Sequence, residues 1–226
     1  MKFDVSVIQE TPDFIALDKP AGLSVHNDGS GEQNVLSLIG PELHLTHRLD
    51  KETSGVLIVA KSPKSAAGLM KALQSESSSK FYRAILRGKL NSKTEDTPIT
   101  WRWAISDKGE GRKNPQGKAS DRVVAKTDVE VLQKNKFFTE IRAKLDTGRQ
   151  HQIRKHAAIA GHPIVGDSRY NDTTYNQKIF DLYKFERMLL HAEMIRFEFG
   201  DKNWELFSTV PSVFETLFRL STEVDH

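Results

Sequence analysis

His47-Arg48-Leu49-Asp50-Lys51 sets one carboxylate between two cations, ahead of Glu52-Thr53-Ser54-Gly55 and the apolar run Val56-Leu57-Ile58-Val59-Ala60. An acid held in a dry site needs a cation or several donors to stay charged. Asp50 is therefore read either as half of a structural ion pair or as a reactive group tuned by its neighbours. A second concentration of charge, Thr147-Gly148-Arg149-Gln150-His151-Gln152-Ile153-Arg154-Lys155-His156, is followed by Gly161-His162-Pro163-Ile164-Val165-Gly166-Asp167. Hydrolysis of a glycosidic bond normally uses two acids, and this second block brings arginines and histidines instead. His151 and His156 stand five apart, out of phase for one helix face, and no further cluster of His and acids has the spacing of metal ligands, so no metal is expected.

The elements that must hold these residues are legible in the alternation of the chain. Phe3, Val5 and Val7 alternate with polar residues, and Phe14-Ile15-Ala16-Leu17 leads into Lys19-Pro20-Ala21-Gly22, which reads as short strands and a turn. Val56 to Ala60 reads as a buried strand directly behind Asp50. Ser62-Pro63 caps and starts an amphipathic helix from Lys64 to about Gln74, with Ala66, Leu69, Met70 and Leu73 at helical spacing. Phe81 to Leu86 is a strand ended by Gly88. Val129, Val131, Ile141, Ala143 and Leu145 mark two more strands, which points to an antiparallel sheet rather than βαβ repeats. Thr147-Gly148 turns the chain into a short helix with Ile153, Ala157 and Ala160 on one face, closed by Gly161, so Arg149 and Arg154 lie at or near a helix start. A polar, aromatic-bearing stretch from Asn171 to Glu186 holds a helical turn. Met194 to Phe199 and Glu205 to Thr209 read as strands, and Val213 to Phe218 as a closing helix. The fold class is α+β.

Composition narrows the partners. The 226 residues suffice for one large domain or two small ones. They are 38% hydrophobic and 28% charged, and no apolar run approaches the roughly 18 residues of a membrane span. Met1-Lys2-Phe3-Asp4 lacks the apolar segment of a signal peptide, so a cytoplasmic, membrane-free protein is expected. Without cysteine there are no disulfides, thiolate metal sites or cysteine nucleophiles. A net charge of +3 and a pI near 9.0 permit a polyanionic partner. From Lys108 to Lys126 six Lys or Arg residues face two acids, Glu110 and Asp121, among Gly109, Gly111, Pro115 and Gly117. The segment 106–127 therefore reads as a flexible basic loop, either touching phosphates or simply solvated.

The wording of the Asp50 stretch, HRLD-x-x-TSG, resembles the active-site loop of the RluA-type pseudouridine synthases, and the Thr147–Asp167 blocks resemble that family's other signature. Asp18-Lys19-Pro20-Ala21-Gly22-Leu23, Lys80-Phe81-Tyr82-Arg83-Ala84 and Leu190-His191-Ala192 extend the likeness from Ile8 to Val210. The resemblance implies the pseudouridine synthase fold, a long bent, mostly antiparallel sheet flanked by helices with a central active-site cleft. It also implies one catalytic domain over 1–226, without the N-terminal S4-type RNA-binding module that many relatives carry; a monomer is the expectation, apart from the resemblance. The implied reaction isomerises a uridine of tRNA or rRNA. The C1′–N1 bond breaks, the base turns and C5 joins C1′, with no cofactor.

In that scheme Asp50 acts at the sugar, as nucleophile at C1′ or base at C2′, and Arg154 pairs with it to keep it ionised. Tyr82 packs against the base and assists proton loss at C5, although without the likeness it reads as a core aromatic. Ile153 meets the base from its other side, a position that helical spacing also explains as core. Arg48 braces the space left by the extruded nucleotide. His47, Thr53, Arg149, His151 and Lys118 complete the implied RNA contacts. The middle of the chain departs from the pattern, because Gly117-Lys118 stands apart from Ala125-Lys126-Thr127 and Trp101-Arg102-Trp103 precedes it. The alternative reading is a catalytically inactive RNA-binding module of the same fold.

Overall fold

The computed structural model describes residues 4–27, 29, 32–90, 99–145 and 147–223; Phe3, expected in the first strand, lies outside them. In chain order β1 (Ser6–Glu10) and β2 (Phe14–Lys19) lead through α1 (Val35–Ile39) and the two-residue β3 (His44–Leu45) to β4 (Ser54–Ala60) and α2 (Pro63–Ala72). Next come β5 (Ser79–Arg87), β6 (Ile99–Trp101), β7 (Ile105–Ser106), β8 (Arg122–Val123), β9 (Thr127–Lys134) and β10 (Phe138–Leu145). The chain closes with α3 (Gln152–Ile159), α4 (Thr173–Tyr183), β11 (Leu190–Phe199), β12 (Lys202–Phe207) and α5 (Val213–Glu223). Backbone contacts gather the chain into two compact units, each made of two stretches. One comprises Met1–Phe81 and His191–Val210, the other Tyr82–Leu190 and Pro211–His226.

The first unit is organised around β4, whose seven residues are all buried. One edge of β4 pairs antiparallel with β2 along its length; the other pairs with β3 at Val59 and Ala60 and with β11 at Ser54 and Gly55. The β4–β11 pairing is parallel. A strand buried on both faces needs no polar alternation, which is why its sequence is a continuous apolar run. Ala66, Leu69 and Leu73 of the α2 face pack with Phe14, Val56, Ile58 and Phe197. Ser62 caps α2 by accepting from the Ser65 amide, with Pro63 in the first turn. Phe14 meets Trp204 edge-on at 4.9 Å between ring centres.

In the second unit the predicted β9–β10 ladder is antiparallel, pairing Val131 with Ile141, Val129 with Ala143 and Thr127 with Leu145. β6 continues it on the β9 side, placing Trp101 opposite Thr127. Ala84, Leu86, Val129, Ile141 and Ala143 pack with Ile153 and Ala157 of α3. The Asn171–Glu186 stretch contains α4, an eleven-residue helix capped by Asp172. The segment 106–127, expected as a loop, carries regular elements: β7 and β8 pair Ile105 with Val123 and Ser106 with Arg122, and Ala119–Asp121 forms a 3-10 turn. No helix among the described residues is long and apolar enough to cross a membrane.

Candidate functional site

Asp50 opens a β-turn, its carbonyl accepting from the Thr53 amide at 3.0 Å while Lys51 and Glu52 form the bend. The Ile58 amide donates to His47 Nε2 at 3.0 Å and Thr46 Oγ1 donates to the Ile58 carbonyl at 2.7 Å, so one β4 residue grips the approach to Asp50 by both its main-chain groups. Burial, and then the nearby Lys80 charge, push the His47 ring down to about 3, against a backbone hydrogen bond with Arg48. The ring is thus neutral at physiological pH, as its acceptor role at Nε2 requires. On the far side of the turn Lys19 is completely buried. Its ammonium donates to the carbonyls of Pro20 (2.9 Å), Leu23 (2.8 Å) and Lys51 (3.1 Å), and the Gly22 amide donates to that same Lys51 carbonyl at 2.8 Å. The Lys51 ammonium is directed to Glu32 at 2.6 Å.

The rest of the motif is architectural. Thr53 is 2% exposed and closes the turn through its amide. Ser54 Oγ lies 2.8 Å from His191 Nδ1, and His191 Nε2 faces the Ser208 carbonyl at 3.3 Å. A carbonyl only accepts, so Nε2 carries the proton and Nδ1 accepts from the Ser54 hydroxyl. Ser208 Oγ donates in turn to Asp18 at 2.8 Å. Gly55, at φ +113, is required by close approach, since a Cβ there would stand 2.2 Å from the Ala192 carbonyl oxygen.

Arg154 belongs to the second unit, as the third residue of α3, and is 2% exposed. Its Nε and Nη2 fork onto the two oxygens of the fully buried Asp167 at 2.8 and 2.9 Å. Asp167 Oδ1 also accepts the amides of Arg169 (2.9 Å) and Tyr170 (3.0 Å). The Tyr170 ring lies 5.4 Å from the guanidinium carbon, and its hydroxyl meets His151 Nδ1 at 3.0 Å. The sequence assigns the turn before α3 to Gly148, yet the left-handed corner is His151, at φ 56. Histidine tolerates that region better than bulkier residues, and here Tyr170 holds its ring.

The remaining polar groups of α3 form one directed chain of hydrogen bonds. Thr147 Oγ1 donates to Gln152 Oε1 (2.7 Å), Gln152 Nε2 donates to Thr127 Oγ1 (3.0 Å), and that hydroxyl lies 2.9 Å from His156 Nδ1. His156 Nε2 faces the Trp103 carbonyl at 3.0 Å. Burial holds His156 below the usual imidazole range, and a neutral ring protonated at Nε2 satisfies every member of the chain. Lys155, also fully buried, donates to the carbonyls of Ser106 (2.6 Å) and Lys108 (2.7 Å).

Of the other expected site residues, Tyr82 is half-buried and packs on the same cluster as Ile153, which is 3% exposed; both have the core role that their spacing also allowed. Arg48 is exposed beside the Asp50 turn, and Lys118 is exposed on the basic segment. Arg149 Nε is buried with no hydrogen-bond partner among the described residues. Sequence reasoning did not find Asp167 as the partner of Arg154, nor Lys19 as a buried brace. Both stood inside quoted motifs, but nothing local marks a partner 13 or 32 positions away. No group of three or more His, Cys, Asp or Glu among the described residues could hold a metal.

The family model described as RNA pseudouridylate synthase matches residues 13–159, a stretch that includes Asp50, Tyr82 and Arg154. Ribosomal large subunit pseudouridine synthase C of Salmonella typhi is 35% identical over 201 residues, covering 84% of this chain and 61% of that protein. The synthase of the same name from Pasteurella multocida is 34% identical over 206 residues, covering 87% and 61%. The chain thus spans less than two thirds of the length of these relatives. Human RNA pseudouridylate synthase domain containing 1 superposes with a TM-score of 0.74 at 23% identity, covering 94% of this chain and 87% of that one, a likeness of fold. With the family model matching residues 13–159, well over half of its length, this chain belongs to the RNA pseudouridylate synthase family.

Proposed function

We propose that this protein is an isomerase that converts a uridine of ribosomal RNA to pseudouridine in the cytoplasm. Asp50 supplies the carboxylate that acts at the ribose, and Arg154 supplies the cation that keeps it ionised. Tyr82 lies against the base and assists removal of the C5 proton. The uracil is released from C1′, turns, and is rejoined through C5, so no redox partner and no net water are needed. The observation that carries the reading is the setting of Asp50. Its turn is fixed by hydrogen bonds to the His47 ring and to the Lys51 and Thr53 main chain, which suits a side chain whose work depends on its placement. The forked, buried Arg154 supports it as a permanently charged and directionally fixed group. The name shared by the curated relatives, ribosomal large subunit pseudouridine synthase C, favours ribosomal RNA over transfer RNA.

Tritium release from RNA labelled at uracil C5 tests the reaction, because only the isomerase loses that hydrogen. The wild-type chain is expected to release it, and Asp50→Asn to abolish release while RNA affinity stays within about three-fold, phosphate contacts dominating binding. Release by Asp50→Asn would remove that carboxylate from the mechanism. RNA binding without release by the wild type would indicate a non-catalytic RNA-binding module. Mapping pseudouridines in cellular RNA with and without the protein identifies the target.

A further inference from the structure

β6 and β9 are antiparallel neighbours with Trp101 opposite Thr127, a geometry that a turn of about two to five residues would close. The chain instead inserts residues 102–126, which carry seven Lys or Arg residues against three acids. A solvated linker would be free to wander, but this one is fastened from beneath. Lys155 holds the carbonyls of Ser106 and Lys108, His156 that of Trp103, and Arg169 that of Gly109 at 2.7 Å. The Gln150 amide donates to Asp107 at 2.7 Å, and Thr147 Oγ1 accepts from the Lys126 amide at 3.3 Å. These last two hydrogen bonds tie both ends of the segment to the turn that carries Arg149. None of these anchors uses a cationic side chain of the segment, so fastening it leaves those of Lys113 and Lys118 at the surface.

We propose that this fastened segment and the Arg149 turn form one phosphate-binding surface for the RNA strand beside the target uridine. Lys113 and Lys118 are exposed and make no ion pair among the described residues. Lys108 and Arg112 are paired only at the surface, with Asp121 at 2.7 Å and Asp172 at 2.5 Å, contacts weak enough to exchange for phosphate. The buried Arg149 Nε, without a hydrogen-bond partner among the described residues, is the independent observation, because it leaves a guanidinium with hydrogen-bonding capacity that no described residue takes up. The surface reads the backbone and not the bases: its donors are charged and on rigid supports, and no exposed aromatic of the segment offers a stacking platform. The inference deepens the proposed function and rests on RNA being the substrate.

The test is the affinity of the full chain for a fluorescent RNA hairpin with a uridine-containing loop, measured over a range of salt. Lys113→Glu with Lys118→Glu is expected to raise Kd at least about ten-fold and to lower the slope of log K against log salt by about two, one for each phosphate no longer neutralised. Arg149→Gln is expected to weaken binding and lower the slope by about one. Reversal of Lys64 and Lys71, exposed on α2, serves as the control and is expected to change neither. Unchanged affinity and slope in the first two variants would overturn the surface, as would a wild-type chain that does not bind at low salt. Segment-dependent binding with no tritium release would keep the surface and remove the isomerase, so the two readings fail separately.

Discussion

Asp50 and Arg154 are held in different ways. The Asp50 turn is positioned through bonds that end on main-chain groups: the Ile58 amide and carbonyl met by the His47 ring and the Thr46 hydroxyl, a Lys51 carbonyl shared by the Lys19 ammonium and the Gly22 amide, and a glycine pressed against the Ala192 carbonyl. Arg154 is positioned by side chains, through the Asp167 fork and the Tyr170 ring, on a helix whose residues Gln152 to Ala157 are all buried. A main-chain clamp has few intermediate states, so damage there appears as loss of the fold. A side-chain clamp yields by degrees, so damage there appears first as misdirected charge.

The sharpest way to break that contrast is Gly55→Val. With its φ and a carbonyl at contact distance, it is expected to cost more than about 4 kcal/mol and to abolish cooperative unfolding; a variant of near wild-type melting temperature would refute the main-chain account. Asp167→Asn keeps the shape and removes the charge beneath Arg154. A loss of about 3 kcal/mol is expected, together with a fall in turnover of about a hundred-fold in the fraction that stays folded. Turnover that survives would show that Arg154 is aimed by something else. Lys19→Met leaves three carbonyls without their ammonium donor and is expected to cost about 2 kcal/mol in denaturant unfolding. The last test is one of pH. The folded His47 ring titrates near 3 and the unfolded one near 6.5, so between these values only the unfolded chain takes up the proton. Its stabilising contribution is complete above pH 6.5 and is lost as pH falls toward 3. Replacing His47 by Asn is expected to flatten the fall in melting temperature over that window relative to wild type.

The regular elements were legible where one face repeats at a simple period. Val129, Val131, Ile141 and Ala143 announced β9 and β10, and Ser62-Pro63 announced the start of α2. The spacing of Ile153, Ala157 and Ala160 marks one face of α3 but not its other sides, where polar residues with distant partners are buried. Gln152 answers to Thr127, His156 to Trp103, Lys155 to Ser106 and Lys108, and no window of neighbouring residues contains both halves of any of these pairs. The HRLD-x-x-TSG wording drew attention to Asp50 but gave no hint that Thr53, Ser54 and Gly55 serve the framework. The basic segment was visible as charge, while the buried lysine and histidine that fasten it were not.

The pairing of β4 with β11 joins Ser54 to His191 across 137 positions of chain. A ribosome takes roughly 7–27 s to add that many residues. Throughout that interval a nascent polypeptide already displays its HRLD loop yet lacks the Ala192 carbonyl that packs against Gly55. Maturation of the Asp50 turn therefore waits until His191 and Ala192 have been made, and translation products that stop short of them leave the ribosome without a finished version of it.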